Sequence, residues 1–129
     1  MGTSPRCSGP RTVLVVDDDP DVRDTTAQVL ELAGFRVLCA ENGRRALDLL
    51  GVTAPPLRPC VCVIDLQMPV MNGRELIRCI RTTSEMPLVV VSGAPDDAPA
   101  GVIALPKPVN PELLLRAVGE HCRLCSRLE

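Results

Sequence analysis

Five short apolar runs divide the chain, and each ends in a polar or turn-forming residue. Val13-Leu14-Val15-Val16 leads into Asp17-Asp18-Asp19-Pro20, Phe35 to Ala40 leads towards Asn42-Gly43, and Cys60 to Ile64 leads into Asp65. Leu88-Val89-Val90-Val91 ends in Ser92-Gly93, and Val102-Ile103-Ala104-Leu105 ends in Pro106-Lys107-Pro108. Unbroken, branched-aliphatic runs too short for independent helices fit strands covered on both faces, as in a parallel sheet.

Between the runs the apolar positions change to a helical period. Asp19-Pro20 reads as an N-cap with proline at the first helical position, after which Val22, Thr26, Val29, Leu30 and Ala33 recur at helical spacing until Gly34. Asn42-Gly43 opens a second helix with Ala46, Leu47 and Leu50 inward, and Pro55, Pro56 and Pro59 form a loop. After the turn at Pro69 and Gly73 a third helix carries Leu76, Ile77 and Ile80 inward, with Arg74, Arg78 and Arg81 on a solvated face. Asn110-Pro111-Glu112 caps a last helix through Leu114, Ala117, Val118 and His121. Strands alternating with helices predict an α/β fold, a five-stranded parallel sheet with right-handed crossovers.

Composition narrows the function classes. A chain of 129 residues makes one domain with one core. We expect a flexible Gly/Pro/Ser-rich lead-in or linker over residues 1–11, the domain over 12–126 and a tail over 127–129. A net charge of -2 and arginines scattered along the chain give no footprint for nucleic acid. No apolar run approaches the roughly 20 residues of a membrane span, and the first residues lack the apolar core of a signal peptide, so a cytoplasmic protein is expected. The seven cysteines are odd in number, and Cys60, Cys62 and Cys79 fall in apolar patterns, which suits reduced thiols. Cys122 and Cys125 form a C-x-x-C without a second pair at ligand spacing, and His121 beside them reads as a solvated helix residue. With Phe35 the one aromatic, neither a base-stacking surface nor a flavin platform is supplied.

The candidate chemistry lies where the strands end. In a parallel sheet the binding crevice opens beyond the carboxyl ends of the strands, so Asp17, Asp18, Asp65, Ser92 and Lys107 should converge there. Three carboxylates in one crevice repel one another unless a cation sits between them, and hard oxygen ligands suit Mg²⁺. A lysine and a hydroxyl opposite them suit the oxygens of a phosphoryl group. Lys107 is the single lysine of the chain, against thirteen arginines, so a compact ammonium at this strand end is a specific feature.

From about Thr12 to His121 the chain resembles the receiver domain of two-component response regulators. The resemblance is carried by Val-Leu-Val-Val-Asp-Asp-Asp-Pro, Asp65-Leu-Gln-Met-Pro-Val-Met-Asn-Gly, Val-Val-Ser-Gly and Pro-Lys-Pro. It implies a flavodoxin-like, doubly wound sheet of order 2-1-3-4-5. It implies that Asp65 takes a phosphoryl group from a histidine kinase or histidine phosphotransfer domain. Mg²⁺ or Mn²⁺ would be held by Asp17, Asp18, Asp65 and the backbone carbonyl of Gln67. Lys107, before a cis bond to Pro108, and Ser92 would contact the phosphoryl oxygens, and Gln67 and Ala94 would tune its lifetime. The context would be a hybrid sensor kinase or a single-domain regulator, monomeric or weakly dimeric, with a downstream target. Such a domain catalyses only its own phosphorylation and dephosphorylation.

Two departures from the family pattern stand out. Only 15 positions separate Ser92 from Lys107, and they include Pro95, Pro99 and Gly101, so the fourth helix of the family should be short, distorted or absent. The switch aromatic of the fifth strand is replaced by Ala104, so no ring can follow Ser92 inward. Two other readings compete. A haloacid-dehalogenase-type phosphohydrolase would use Asp17 and Asp19 as its acidic pair, but Asn110 and Glu112 are all that stands where it needs further acids. A docking module that keeps the fold without phosphorylation is the other.

Overall fold

The computed structural model describes residues 11–52 and 58–127, with side chains for 11–51 and 58–121. Five strands, β1 (Thr12–Val16), β2 (Arg36–Ala40), β3 (Val61–Asp65), β4 (Leu88–Ser92) and β5 (Ile103–Pro106), form the sheet. They alternate with α1 (Pro20–Leu32), α2 (Gly43–Val52), α3 (Gly73–Arg81) and α4 (Pro111–Arg127). All pairings are parallel, in the order β2-β1-β3-β4-β5. The chain first steps outward from β1 to β2 and then crosses back to β3, so strand order reverses between β1 and β3.

Every residue of β1, β3 and β4 is buried, which is why these segments carry no polar alternation. Leu14, Val16, Cys62, Ile64, Leu88 and Val90 point to one face, against Ala46 of α2 and Leu76, Ile77 and Ile80 of α3. Val13, Val15, Val61, Val63, Val89 and Val91 point to the other, against Leu30 of α1 and Leu114, Ala117 and Val118 of α4. Each fully buried aliphatic side chain contributes roughly 2 kcal/mol, so three such strands hold the centre of the sheet. The edge strands β2 and β5 are only partly covered.

Each helix starts with a side-chain cap just after a strand. Asp19 Oδ1 accepts from Asp21 N–H at 2.9 Å and Val22 N–H at 3.3 Å, with Pro20 at the first position of α1. Asn42 accepts from Arg45 N–H at 2.8 Å, and Asn110 from Glu112 N–H at 2.8 Å. Asn72 and Glu75 form a reciprocal capping box at α3, at 2.9 and 3.0 Å. Short strand-to-cap loops therefore line up along the carboxyl edge of the sheet.

The expected loss of a helix between β4 and β5 is observed. A single 3₁₀ turn, Pro95–Asp97, stands there, and Ala98 and Val102 pack onto the α2/α3 layer in place of a helix face. Gly101, at φ +85°, then turns the chain into β5. Strand ends shift by one residue from the sequence expectation: β3 runs on through Asp65, whose backbone still pairs with Val91. Cys39, Cys62 and Cys79 are free thiols. His121, expected in solvent, is half-buried with Nδ1 2.8 Å from the Ala117 carbonyl oxygen. The lead-in over residues 1–10, the loop prolines 55 and 56, and the side chains of Cys122 and Cys125 lie outside the described residues. Among the described residues no helix is long and apolar enough to cross a membrane.

Candidate functional site

Four strand ends meet at the carboxyl edge where strand order reverses. Asp17 follows β1, Asp65 closes β3, Ser92 closes β4 and Lys107 follows β5. Asp17 and Asp65 are 6% and 5% exposed, Ser92 is 5% exposed, and Asp18 lies open to solvent. Carboxylate oxygens of Asp17, Asp18 and Asp65 all lie within 4.8 Å of one another. The Lys107 ammonium is 3.3 Å from Asp65 Oδ1 and 3.8 Å from Asp17 Oδ2. Residues far apart in sequence thus share one cleft, as the strand-end argument requires.

The electrostatics of this cleft are unbalanced. Burial pushes the Asp65 carboxyl above its ordinary value; the Gln67 N–H, at 3.2 Å from Oδ1, pulls it down, Asp17 pushes it up again and Lys107 opposes that. Three carboxylates face one ammonium, and two of the three are buried. A further cation between them relieves the repulsion, and the all-oxygen donor set with one open face fits a hard divalent ion that keeps waters.

Asp17 is held in two ways. Its Oδ1 accepts from Asp19 N–H at 2.9 Å, and its main-chain carbonyl accepts from Arg23 Nη1–H at 2.9 Å. Arg23, on the second turn of α1, escapes sequence reasoning because a flexible arginine reaching back six positions leaves no periodic signal. Asp19 spends its Oδ1 on the cap of α1 and lies exposed, so the Asp17 and Asp19 acid pair of the phosphohydrolase reading is not formed.

The loop after Asp65 is shaped by close packing. A Cβ on Gly73 would stand 2.5 Å from the Asp65 carbonyl oxygen and 2.7 Å from Leu66 Cα, so only glycine lets α3 begin this near the strand end. Gly73 N–H donates to the Leu66 carbonyl at 2.9 Å. Val70 stands at φ 68° and 80% exposed beside this turn. On the other side Ser92 Oγ accepts from Ala94 N–H at 3.0 Å, and the Ser92 carbonyl accepts from Lys107 N–H at 3.0 Å. The Lys107–Pro108 bond is cis, as the resemblance implied. Gln67 and Ala94 both line a cavity beside Ser92. Ala104 aligns with Val90 on the α2/α3 layer, and Phe35 packs in the opposite layer, so no ring stands near Ser92 by that route.

Comparisons with known proteins identify the family to which this fold belongs. The family model described as response regulator receiver domain matches residues 13–118. The response regulator MprA of Mycolicibacterium vanbaalenii is 37% identical over 114 residues, covering 82% of this chain and 48% of that protein. The transcriptional regulatory protein CpxR of Escherichia coli K12 is 31% identical, covering 82% of this chain and 47% of its own. The chain spans about half the length of these two curated relatives. Among solved structures, a CheY-like receiver domain protein from Methanospirillum hungatei superimposes with a TM-score of 0.80 at 25% identity, covering 94% of this chain and 100% of that one. The receiver domain of the hybrid histidine kinase CckA gives 0.75 at 28% identity, covering 86% and 98%. On the family match, the sheet order and the strand-end cleft together, this chain belongs to the receiver domain family of two-component response regulators.

Proposed function

We propose that the chain is a phosphoacceptor: Asp65 takes a phosphoryl group from a phosphohistidine and the domain changes conformation in response. The observation that carries this reading is the Lys107 ammonium 3.3 Å from an Asp65 carboxylate that Asp17 and Asp18 also approach. A carboxylate is a weak nucleophile, made adequate here by fixed position and by charge neutralisation around the incoming group. One Asp65 oxygen forms the O–P bond as the P–N bond of the phosphohistidine breaks, and the imidazole leaves with that electron pair. Asp17, Asp18, Asp65 and the Gln67 carbonyl would hold Mg²⁺, or Mn²⁺. Bound there, the ion supplies positive charge to the transferring oxygens.

The chain's own groups do the rest. Asp17, fixed by Asp19 N–H and by Arg23, keeps its carboxylate aimed into the cleft. Lys107 pairs with the phosphoryl oxygens once Asp65 has become an acyl phosphate, and Ser92 turns from Ala94 N–H to donate to them. Gln67 and Ala94 flank the group and set how readily water reaches it. The proposed domain runs from 12 to 126, in a cytoplasmic setting, as a module of a hybrid sensor histidine kinase or as a single-domain regulator. Its proposed partners are a histidine kinase or histidine phosphotransfer domain and a downstream target.

Intact mass after incubation with Mg²⁺ and acetyl phosphate tests the reading. A phosphoryl adduct that needs Mg²⁺ and is lost in Asp65→Asn is expected. An unmodified parent chain that nonetheless binds Mg²⁺ would replace the proposal with a docking module.

A further inference from the structure

Three hydrogen bonds run in series from Ser92 to the start of α3. Ser92 Oγ accepts from Ala94 N–H at 3.0 Å; the Ala94 carbonyl accepts from Asp97 N–H at 3.0 Å; and the Asp97 carbonyl accepts from Arg74 Nη2–H. Arg74 is the second residue of α3, adjoining Gly73, which packs on the Asp65 carbonyl. The series therefore leaves the loop after Asp65, crosses to the β4–β5 loop and returns to the residue beside that same cleft. Inside the ring is a cavity of about 330 Å³, lined by Gln67, Asn72, Arg74, Ser92, Ala94 and Asp97 among others. Where a helix would stand, Arg74 is the one side chain among the described residues that hydrogen-bonds to the 3₁₀ turn.

We propose that Arg74 is a strap that holds the β4–β5 loop in its resting position, so that any response of this loop to phosphorylation works against the Arg74–Asp97 bond. The inference rests on the phosphoacceptor reading above and adds the residue that biases its resting arrangement. Turning Ser92 towards a phosphoryl group on Asp65 carries Oγ away from Ala94 N–H. The 3₁₀ turn then keeps only its own Ala94–Asp97 and Pro95–Ala98 bonds and the Arg74 strap. With a cavity on one side and solvent on the other, the turn has space to move once that anchor is gone. Ala104 supplies no ring that could relay the movement through β5. The strap favours the resting arrangement, so by linkage it opposes the ligand that favours the released one.

The test uses the full chain, with beryllium fluoride and Mg²⁺ as the phosphoryl mimic, and follows amide exchange at Ala94 and Asp97 by NMR. In Arg74→Ala both amides should exchange faster in the resting protein, and the mimic should bind about fivefold more tightly than to the parent, the low end of a typical coupling. Arg74→Lys, which keeps a cationic donor, should fall between. Lost stability alone would not tighten binding, so an affinity equal to or below the parent's overturns the strap. Unchanged exchange at the two amides overturns it as well. A parent that does not bind the mimic at all would fail the phosphoacceptor reading and take the switch with it, whereas a parent that binds with both amides undisturbed fails the switch alone.

Discussion

Asp65 carries its charge where water is scarce and two further acids stand close, with one ammonium to offset them. Because its carboxyl is raised above the ordinary value of 3.8, the folded protein holds that proton more tightly than the unfolded chain does. The sign follows: in metal-free protein its contribution favours folding in acid, falls away as pH rises through the raised folded value, and is unfavourable at neutral pH. Asp65→Asn keeps the shape and the acceptor for Gln67 N–H. It should raise the melting temperature of chelator-treated protein at neutral pH by a few degrees, with the gain shrinking towards about pH 4. Added Mg²⁺ should reverse the ranking, and thermal melts followed by circular dichroism read both. A metal-free parent that melts above the variant at neutral pH would contradict this account. Val70 is a second residue out of balance, a β-branched side chain at φ 68°. The left-handed conformation costs an ordinary residue roughly 1–2 kcal/mol, and Asn tolerates it better, so Val70→Asn should stabilise the protein by about 1 kcal/mol in urea unfolding. A lower urea midpoint would mean that the exposed Val70 methyls make a contact worth more than the strain.

At the scale of elements, much of this fold is legible in the sequence. Strands buried on both faces must be continuously aliphatic, and Val13–Val16 and Leu88–Val91 are; helices that follow them need caps, and Asp19, Asn42 and Asn110 supply them. The missing helix is legible too, since Pro95 and Pro99 bracket too few residues for one. Strand ends are less so: Asp65 breaks the apolar run, yet its backbone stays in the ladder while its side chain leaves it. The junction of β3 and α3 depends on Gly73, whose neighbour is the Asp65 carbonyl itself. Gly73→Ala should cost about 2 kcal/mol, as overpacking against backbone does, and lower the yield of phosphoryl adduct because the strand end must shift. Full stability and full labelling in that variant would show that α3 can back away without cost.

For the whole molecule, the two layers either side of the sheet decide which groups the outside can reach. Cys62 lies in the central strand with no exposed surface, and burial pushes its thiol far up, while Cys39 on edge strand β2 is exposed. Iodoacetamide should therefore modify Cys39 in native protein, and Cys62 only through openings that approach global unfolding, so that its labelling rate follows urea stability. Rapid native labelling of Cys62 would show that the α2/α3 layer opens locally. The convergence of Asp17, Asp65, Ser92 and Lys107 was readable because topology alone brings parallel strand ends together. Arg23 and Arg74 were not, since each acts through a main-chain carbonyl, and a carbonyl has no letter in the sequence.

Lys107 has one more consequence. It is the single lysine in these 129 residues, half-buried against two carboxylates. Acetylation, methylation or an amine-directed dye, which other proteins spread over many surface sites, has here one side-chain address. Acylation there cancels the positive charge of the cleft and leaves its acids unopposed. Every side-chain lysine modification of this chain is thus also a modification of its strand-end cleft.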